Sequence, residues 1–216
     1  MKTDPVRSAT LRGLYAITPD WTDTLRLATV TEAILGAGCR VLQYRNKRAS
    51  DSLLREQAVA LRKLTAQYDA RLIINDDLDL ALFCAADGVH LGEDDGQLAA
   101  ARLRLNGASA DKILGASCYQ SLPLALAAAQ AGADYVAFGS FFASPTKPQA
   151  KRADPGLIAA AKRETGLPIC AIGGITTDNA GSLIAAGVDL LAVISALYDA
   201  PDPFQAALNF TQLFQT

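Results

Sequence analysis

Eight times along the chain, a short apolar run rich in β-branched residues gives way to polar or glycine-rich sequence. The runs are LYAIT (14–18), RVLQYR (40–45), RLIIN (71–75), GVHLG (88–92), KILGAS (112–117), YVAFG (135–139), PICAIGG (168–174) and LLAVIS (190–195). Runs of this length and composition read as buried strands. Longer segments alternate with them, among them TLRLATVTEAILGAG, DSLLREQAVALRKLTAQY, SLPLALAAAQAGA, DPGLIAAAKRETG and DNAGSLIAAGV, with DPFQAALNFTQLF after the eighth run. Their apolar residues recur three and four apart, the spacing of a helix that buries one face. DNAGSLIAAGV opens with Asp178 or Asn179 as the expected N-cap.

Strands that alternate with helices pair in parallel through right-handed crossovers. Eight such units in 216 residues predict a closed (β/α)8 TIM barrel of the α/β class, compact for that fold. The rival is an open doubly wound sheet, but no G-x-G-x-x-G follows the first strand. No linker, low-complexity segment or charge block marks a second domain, so 1–216 reads as one domain with a short N-terminal extension over 1–12.

Charged residues are 19% of the chain and the formal net charge is −2, which gives no sequence-independent grip on nucleic acid. No apolar run reaches the roughly 18 residues of a membrane span, and MKTDPVRSATLRG lacks the apolar core of a secretory signal. The expected location is cytoplasmic. Cys39, Cys84, Cys118 and Cys170 lie far apart without a C-x-x-C pair and are expected as buried small hydrophobes. His90, the single histidine, is expected to be structural or pocket-lining rather than a general base.

Barrel enzymes work at the C-terminal ends of their strands. Strand two ends VLQYRNK, where alternation from a buried Val41 puts Gln43, Arg45 and Lys47 on one face. An amide, a guanidinium and an ammonium in a row suit a polyanion such as a diphosphate. Strands three and four end IINDD and VHLGEDD, gathering Asn75, Asp76, Asp77, Glu93, Asp94 and Asp95 near those cations. Carboxylates would repel a diphosphate unless a hard cation lay between, and Mg²⁺ fits. Helix N-capping by Asp77 or Asp94 is the plainer reading for some of these acids.

Strands seven and eight end AIGGI and VISAL, where Gly173, Gly174 and Ser195 stand at the recurrent phosphate cradle of barrel enzymes. After strand six, SFFASPTKPQA carries Ser144, Thr146 and Lys147 on a segment long enough to close over ligands as a lid. Two anion sites, a metal, a lid and no obvious base predict displacement of diphosphate from one substrate by a nucleophile on another. A nucleophile without a proton to lose, such as an aromatic ring nitrogen, needs no base.

Together LYAIT, VLQYRNK, LIINDDLDLAL, ADGVHLGEDD, ILGASC, GADYVAFGSFFASPTK and AIGGITTDN…VISALY resemble the thiamine-phosphate synthase (thiamine-phosphate pyrophosphorylase) family, in order over about 14–198. The resemblance implies a transferase that joins 4-amino-5-hydroxymethyl-2-methylpyrimidine diphosphate to a thiazole phosphate, giving thiamine phosphate and diphosphate by a Mg²⁺-dependent dissociative displacement. It implies Arg45, Lys47, Ser117 and Lys147 as catalytic residues, and Asp76 and Asp95 as Mg²⁺ ligands. It implies Gln43 and Asn75 on the pyrimidine diphosphate, Ser144 and Thr146 in the lid, and Gly174, Ile194 and Ser195 on the thiazole phosphate. Partners are then the two small-molecule substrates, with no nucleic acid and no membrane, and the oligomeric state is left open. Cys118-Tyr119 stands where many members place a histidine nearby, and TKPQA continues the lid without further cations. The competing readings are a thiazole tautomerase, which needs no complete diphosphate site, a phosphosugar isomerase, which needs an acid-base pair, and a non-catalytic binding protein.

Overall fold

The computed structural model describes residues 11–92, 97–143 and 153–215. The strands are β1 Gly13–Ile17, β2 Val41–Tyr44, β3 Arg71–Asn75, β4 Gly88–Leu91, β5 Ile113–Tyr119, β6 Tyr135–Gly139, β7 Ile169–Ile172 and β8 Leu190–Val193. They hydrogen-bond in chain order as a closed barrel, the (β/α)8 architecture expected from the alternation. Registers such as Tyr15↔Val41, Leu42↔Leu72 and Ala137↔Cys170 are parallel. The helices are α1 Thr24–Gly36, α2 Asp51–Gln67, α3 Leu78–Phe83, α4 Leu98–Ala108, α5 Leu122–Gln130, α6 Gly156–Thr165, α7 Thr177–Ala185, α8 Ser195–Tyr198 and α9 Pro203–Gln212. Among the described residues, no helix is long and apolar enough to cross a membrane.

Caps explain most helix starts. Asp23, Ser50, Asp77, Ser121 and Asp202 each accept a backbone N–H from the first turn of the helix they precede. The start of α7 differs from expectation. Thr176, not Asp178 or Asn179, is the N-cap, and Asn179 sits at the third helical position of a reciprocal capping box. The sequence alone does not single out the threonine, because Thr176, Thr177, Asp178 and Asn179 all carry side chains that can cap.

Chain contacts cluster into two compact units, one of Gly13–Val89 with Val193–Thr216 and one containing His90–Ala192. In the first, Tyr15, Leu42, Tyr44, Leu72 and Phe210 are buried; in the second, Tyr135, Phe138, Ile158 and Ile169 are. All four cysteines are buried, as expected of small hydrophobes.

One device recurs where an even strand begins. Asp87, Asp134 and Asp189 immediately precede β4, β6 and β8, and each accepts the backbone N–H of Leu72, Leu114 or Ile169 at 2.8 Å. Each also pairs with a cation of the second helix before that strand: Arg62 of α2, Arg102 of α4 or Lys162 of α6. Arg102 and Asp134 are almost fully buried, and the guanidinium donates further to the carbonyls of Gly132 and Lys112. A buried charge is tolerable only with such complete pairing. These bonds anchor the starts of β3, β5 and β7.

Candidate active site

The strand β2 ends at Tyr44, yet Tyr44 Oη and Asn46 Nδ2 both reach Gln57 Oε1, which leaves Arg45 to point the other way, toward Asp20. Gln43 is buried and donates from Nε2 to Tyr15 Oη at 2.8 Å. It is not among the residues lining the cavity at the ends of β2 and β3. That cavity, of about 370 Å³, is lined by Arg45, Lys47, Asn75 and Asp76, with Asn46 and Asp77 beside them. Of the three expected donors, Gln43 is held against Tyr15, and Arg45 and Lys47 lie on the cavity.

Neighbouring side chains hold this turn. Tyr44 Oη donates to Gln57 Oε1 at 2.8 Å, and Asn46 Nδ2 donates to the Trp21 carbonyl at 2.8 Å. Thr18 Oγ1 accepts the Arg45 N–H at 2.8 Å and donates to the Arg45 carbonyl at 2.9 Å. Arg45 Nη1 and the Lys47 backbone N–H both reach Asp20 Oδ1 at 2.9 Å. Lys47 Nζ lies 3.3 Å from Asp76 Oδ2. Asp76 itself has φ +63°, a left-handed conformation that aspartate tolerates better than most residues and that clusters at functional sites. Asp77 caps α3, so the plainer of its two readings holds.

A hard divalent cation takes one or two protein carboxylates and completes its shell with substrate oxygens and water. Asp76, on an open cavity beside the amide of Asn75, fits that donor set. The second expected ligand, Asp95, lies outside the described residues, with Glu93 and Asp94. Among the described residues, no group of three or more His, Cys, Asp or Glu could by itself hold a metal.

Ser117 lies on β5, half-buried, with its Oγ 2.9 Å from His90 Nε2. The other ring nitrogen of His90 is 2.8 Å from Tyr135 Oη. His90 is thus a buried link between a tyrosine and a serine hydroxyl, which agrees with its reading as structural or pocket-lining. Gly115 makes room for this chain, because a Cβ there would overlap the Tyr135 ring. The link was invisible in the sequence: the three residues come from three strands.

At the end of β7, Gly173 and Gly174 have φ +105° and +63°. A Cβ on Gly173 would overlap Ser140, and one on Gly174 would overlap the Ala143 carbonyl. The pair therefore lets the start of the β6 loop lie on the β7 loop, where the Phe142 N–H donates to the Gly173 carbonyl at 3.0 Å. Asn179 ties the turn together, donating from Nδ2 to the Gly174 carbonyl at 2.9 Å and accepting the Thr176 N–H at 3.0 Å. Ile194 follows β8 as the N-cap of α8, and exposed Ser195 is the first residue of that helix. Ser144, Thr146 and Lys147 lie outside the described residues.

Known proteins bear on this arrangement directly. Residues 14–197 match the family model described as thiamine monophosphate synthase. A thiamine-phosphate synthase of Methylobacillus flagellatus is 58% identical over 204 residues, which cover 94% of this chain and 96% of that protein. One from Thiobacillus denitrificans is 53% identical over 202 residues, 94% of each chain. Among solved structures, the thiamine phosphate pyrophosphorylase from Pyrococcus furiosus matches with a TM-score of 0.83 at 34% identity, over 97% of this chain and 98% of that one. Since the matched span runs from β1 into α8 and takes in every strand end described above, the chain belongs to the thiamine monophosphate synthase family.

Proposed function

We propose that this protein is a cytoplasmic, single-domain transferase that joins hydroxymethylpyrimidine diphosphate to a thiazole phosphate, forming thiamine phosphate and releasing diphosphate. The observation that carries the reading is the meeting of Arg45, Lys47, Asn75 and Asp76 on one open cavity. Two cations, an amide and a carboxylate are what a metal-chelated diphosphate requires. Asp76 and Asp95 would hold Mg²⁺, which would neutralise part of the charge on the leaving group.

In the reaction the C–O bond to diphosphate breaks with its electron pair going to oxygen. The aminopyrimidine ring carries the positive charge left on carbon, and the thiazole nitrogen lone pair forms the new C–N bond. No proton moves at either atom, so no general base is called for. Arg45 and Lys47, joined by Lys147 of the lid, stabilise the charge that develops on the leaving oxygen, where fixed donors are most effective. Asn75 and Gln43 orient the pyrimidine diphosphate, and Ser117 contacts it from β5. Gly174, Ile194 and Ser195 hold the thiazole phosphate through backbone amides and a hydroxyl, and Ser144 and Thr146 help exclude water.

The test is thiamine phosphate formation from the two substrates, with Mg²⁺ and with excess EDTA. Metal-dependent product is expected. No product from folded protein in either condition overturns the reading and points to a tautomerase or a binding protein, which thiazole phosphate binding alone would then probe.

A further inference from the structure

We infer that Asp20 is a positioning residue that sets the Arg45–Lys47 turn for the diphosphate, an inference that rests on the proposed role of Arg45 and Lys47. A single oxygen, Oδ1, accepts from Arg45 Nη1 and from the Lys47 backbone N–H, both at 2.9 Å. The two bonds act on different parts of the turn, since one holds a guanidinium and the other the backbone that carries the ammonium. The segment around Asp20 is itself anchored. Thr18 Oγ1 bonds both backbone groups of Arg45, and the Trp21 carbonyl accepts from Asn46 Nδ2 at 2.8 Å and Gln57 Nε2 at 3.0 Å. Thr18, Asp20 and Trp21 therefore grip Arg45, Lys47 and Asn46 respectively, and Asp20 is the member of the set that reaches a side-chain cation.

A guanidinium has five N–H donors, and Asp20 engages one of its terminal nitrogens, leaving the rest of the fork for a ligand. A side chain already held in place gives up less freedom when the ligand arrives. The opposing effect is the negative charge of Asp20, which repels a polyanion. Both side chains of the pair are 30% exposed, so solvent screens that repulsion and the Arg45–Asp20 attraction alike, but the two hydrogen bonds to Oδ1 still set where the turn lies. Positioning should win.

The test is steady-state kinetics of Asp20→Ala, Asp20→Asn and Arg45→Ala with each substrate varied. Asp20→Ala is expected to raise KM for the pyrimidine diphosphate about tenfold while KM for the thiazole phosphate stays within about twofold. Inhibition by inorganic diphosphate should weaken by the same factor. Asp20→Asn keeps an oxygen acceptor without the charge and should recover most of the loss. Arg45→Ala with unchanged KM would overturn the diphosphate site itself. Arg45→Ala with raised KM but Asp20→Ala unchanged would overturn the positioning role alone. A fall in KM in both Asp20 variants would show that repulsion dominates, and a rise for both substrates with a lower Tm would reduce Asp20 to a structural clamp. Either result overturns the inference.

Discussion

Lys47 Nζ stands 3.3 Å from Asp76 Oδ2, so a proposed diphosphate ligand and a proposed metal ligand are in contact with each other. The lysine side chain is 59% exposed and the aspartate 28%, which makes this a solvated pair worth at most about 1 kcal/mol. Such a pair is easily exchanged for stronger partners, a diphosphate for the lysine and a cation for the carboxylate. Lys47→Ala and Asp76→Asn should each lower kcat/KM about a hundredfold or more, as loss of a charge-stabilising group does. Urea unfolding should move by no more than about 1 kcal/mol. Added Mg²⁺ should restore part of the Asp76→Asn loss and none of the Lys47→Ala loss.

Gly174 combines a left-handed backbone with contact against the Ala143 carbonyl. Gly174→Ala should therefore cost about 1–2 kcal/mol from the backbone alone, and the β6 loop must also shift to admit the methyl group. The expected kinetic result is a larger rise in KM for the thiazole phosphate than for the pyrimidine diphosphate, measured by varying each substrate in turn. Equal rises would mean that the β7 turn serves the fold and not the phosphate.

The strand and helix sequence of this barrel was legible because short apolar runs mark the buried strands and apolar residues three and four apart mark the helices between them. Pattern readings failed where a single residue could serve several ends. Thr176 was displaced by Asp178 and Asn179 because all three can cap, and only the capping-box geometry separates them. The Ser117–His90–Tyr135 chain and the grip of Asp20 on Arg45 join residues 25 or more positions apart, which no local period encodes. The repeated aspartate was more accessible: AADGV, GADYV and GVDLL each place it just before an even strand. The expectations at Asp95, Ser144, Thr146 and Lys147 lie outside the described residues.

Two of those aspartates, Asp134 and Asp189, predict unequal losses of stability. Asp134 pairs with a nearly inaccessible Arg102, so Asp134→Ala strands a buried guanidinium and should cost about 3–5 kcal/mol. Asp189 pairs with Lys162, whose side chain is 47% exposed and can return to water. Asp189→Ala then loses chiefly the acceptor for the Ile169 N–H, about 1–3 kcal/mol. Urea denaturation of the two variants measures the gap, and equal losses would show that the strand contact, not the buried cation, sets the cost.

Alkaline stability follows from Cys118, which is fully buried next to the register shift between Ser117 and Tyr119. Burial pushes its thiol from 9.0 up to about 12. Between those values the folded protein keeps a proton that the unfolded chain has released, so stability falls as pH rises. The contribution is fully present below about pH 9 and is lost toward about pH 12, at up to about 1.4 kcal/mol per pH unit for one thiol. Burial also raises Cys170, Tyr44 and Tyr198, which steepen the same decline. Cys118→Ala should therefore start less stable near neutral pH, because it leaves a small cavity, yet lose less on going from about pH 8 to about pH 10. Urea midpoints at the two pH values give the comparison, and parallel losses in wild type and variant would show that the Cys118 thiol is not protected by the fold.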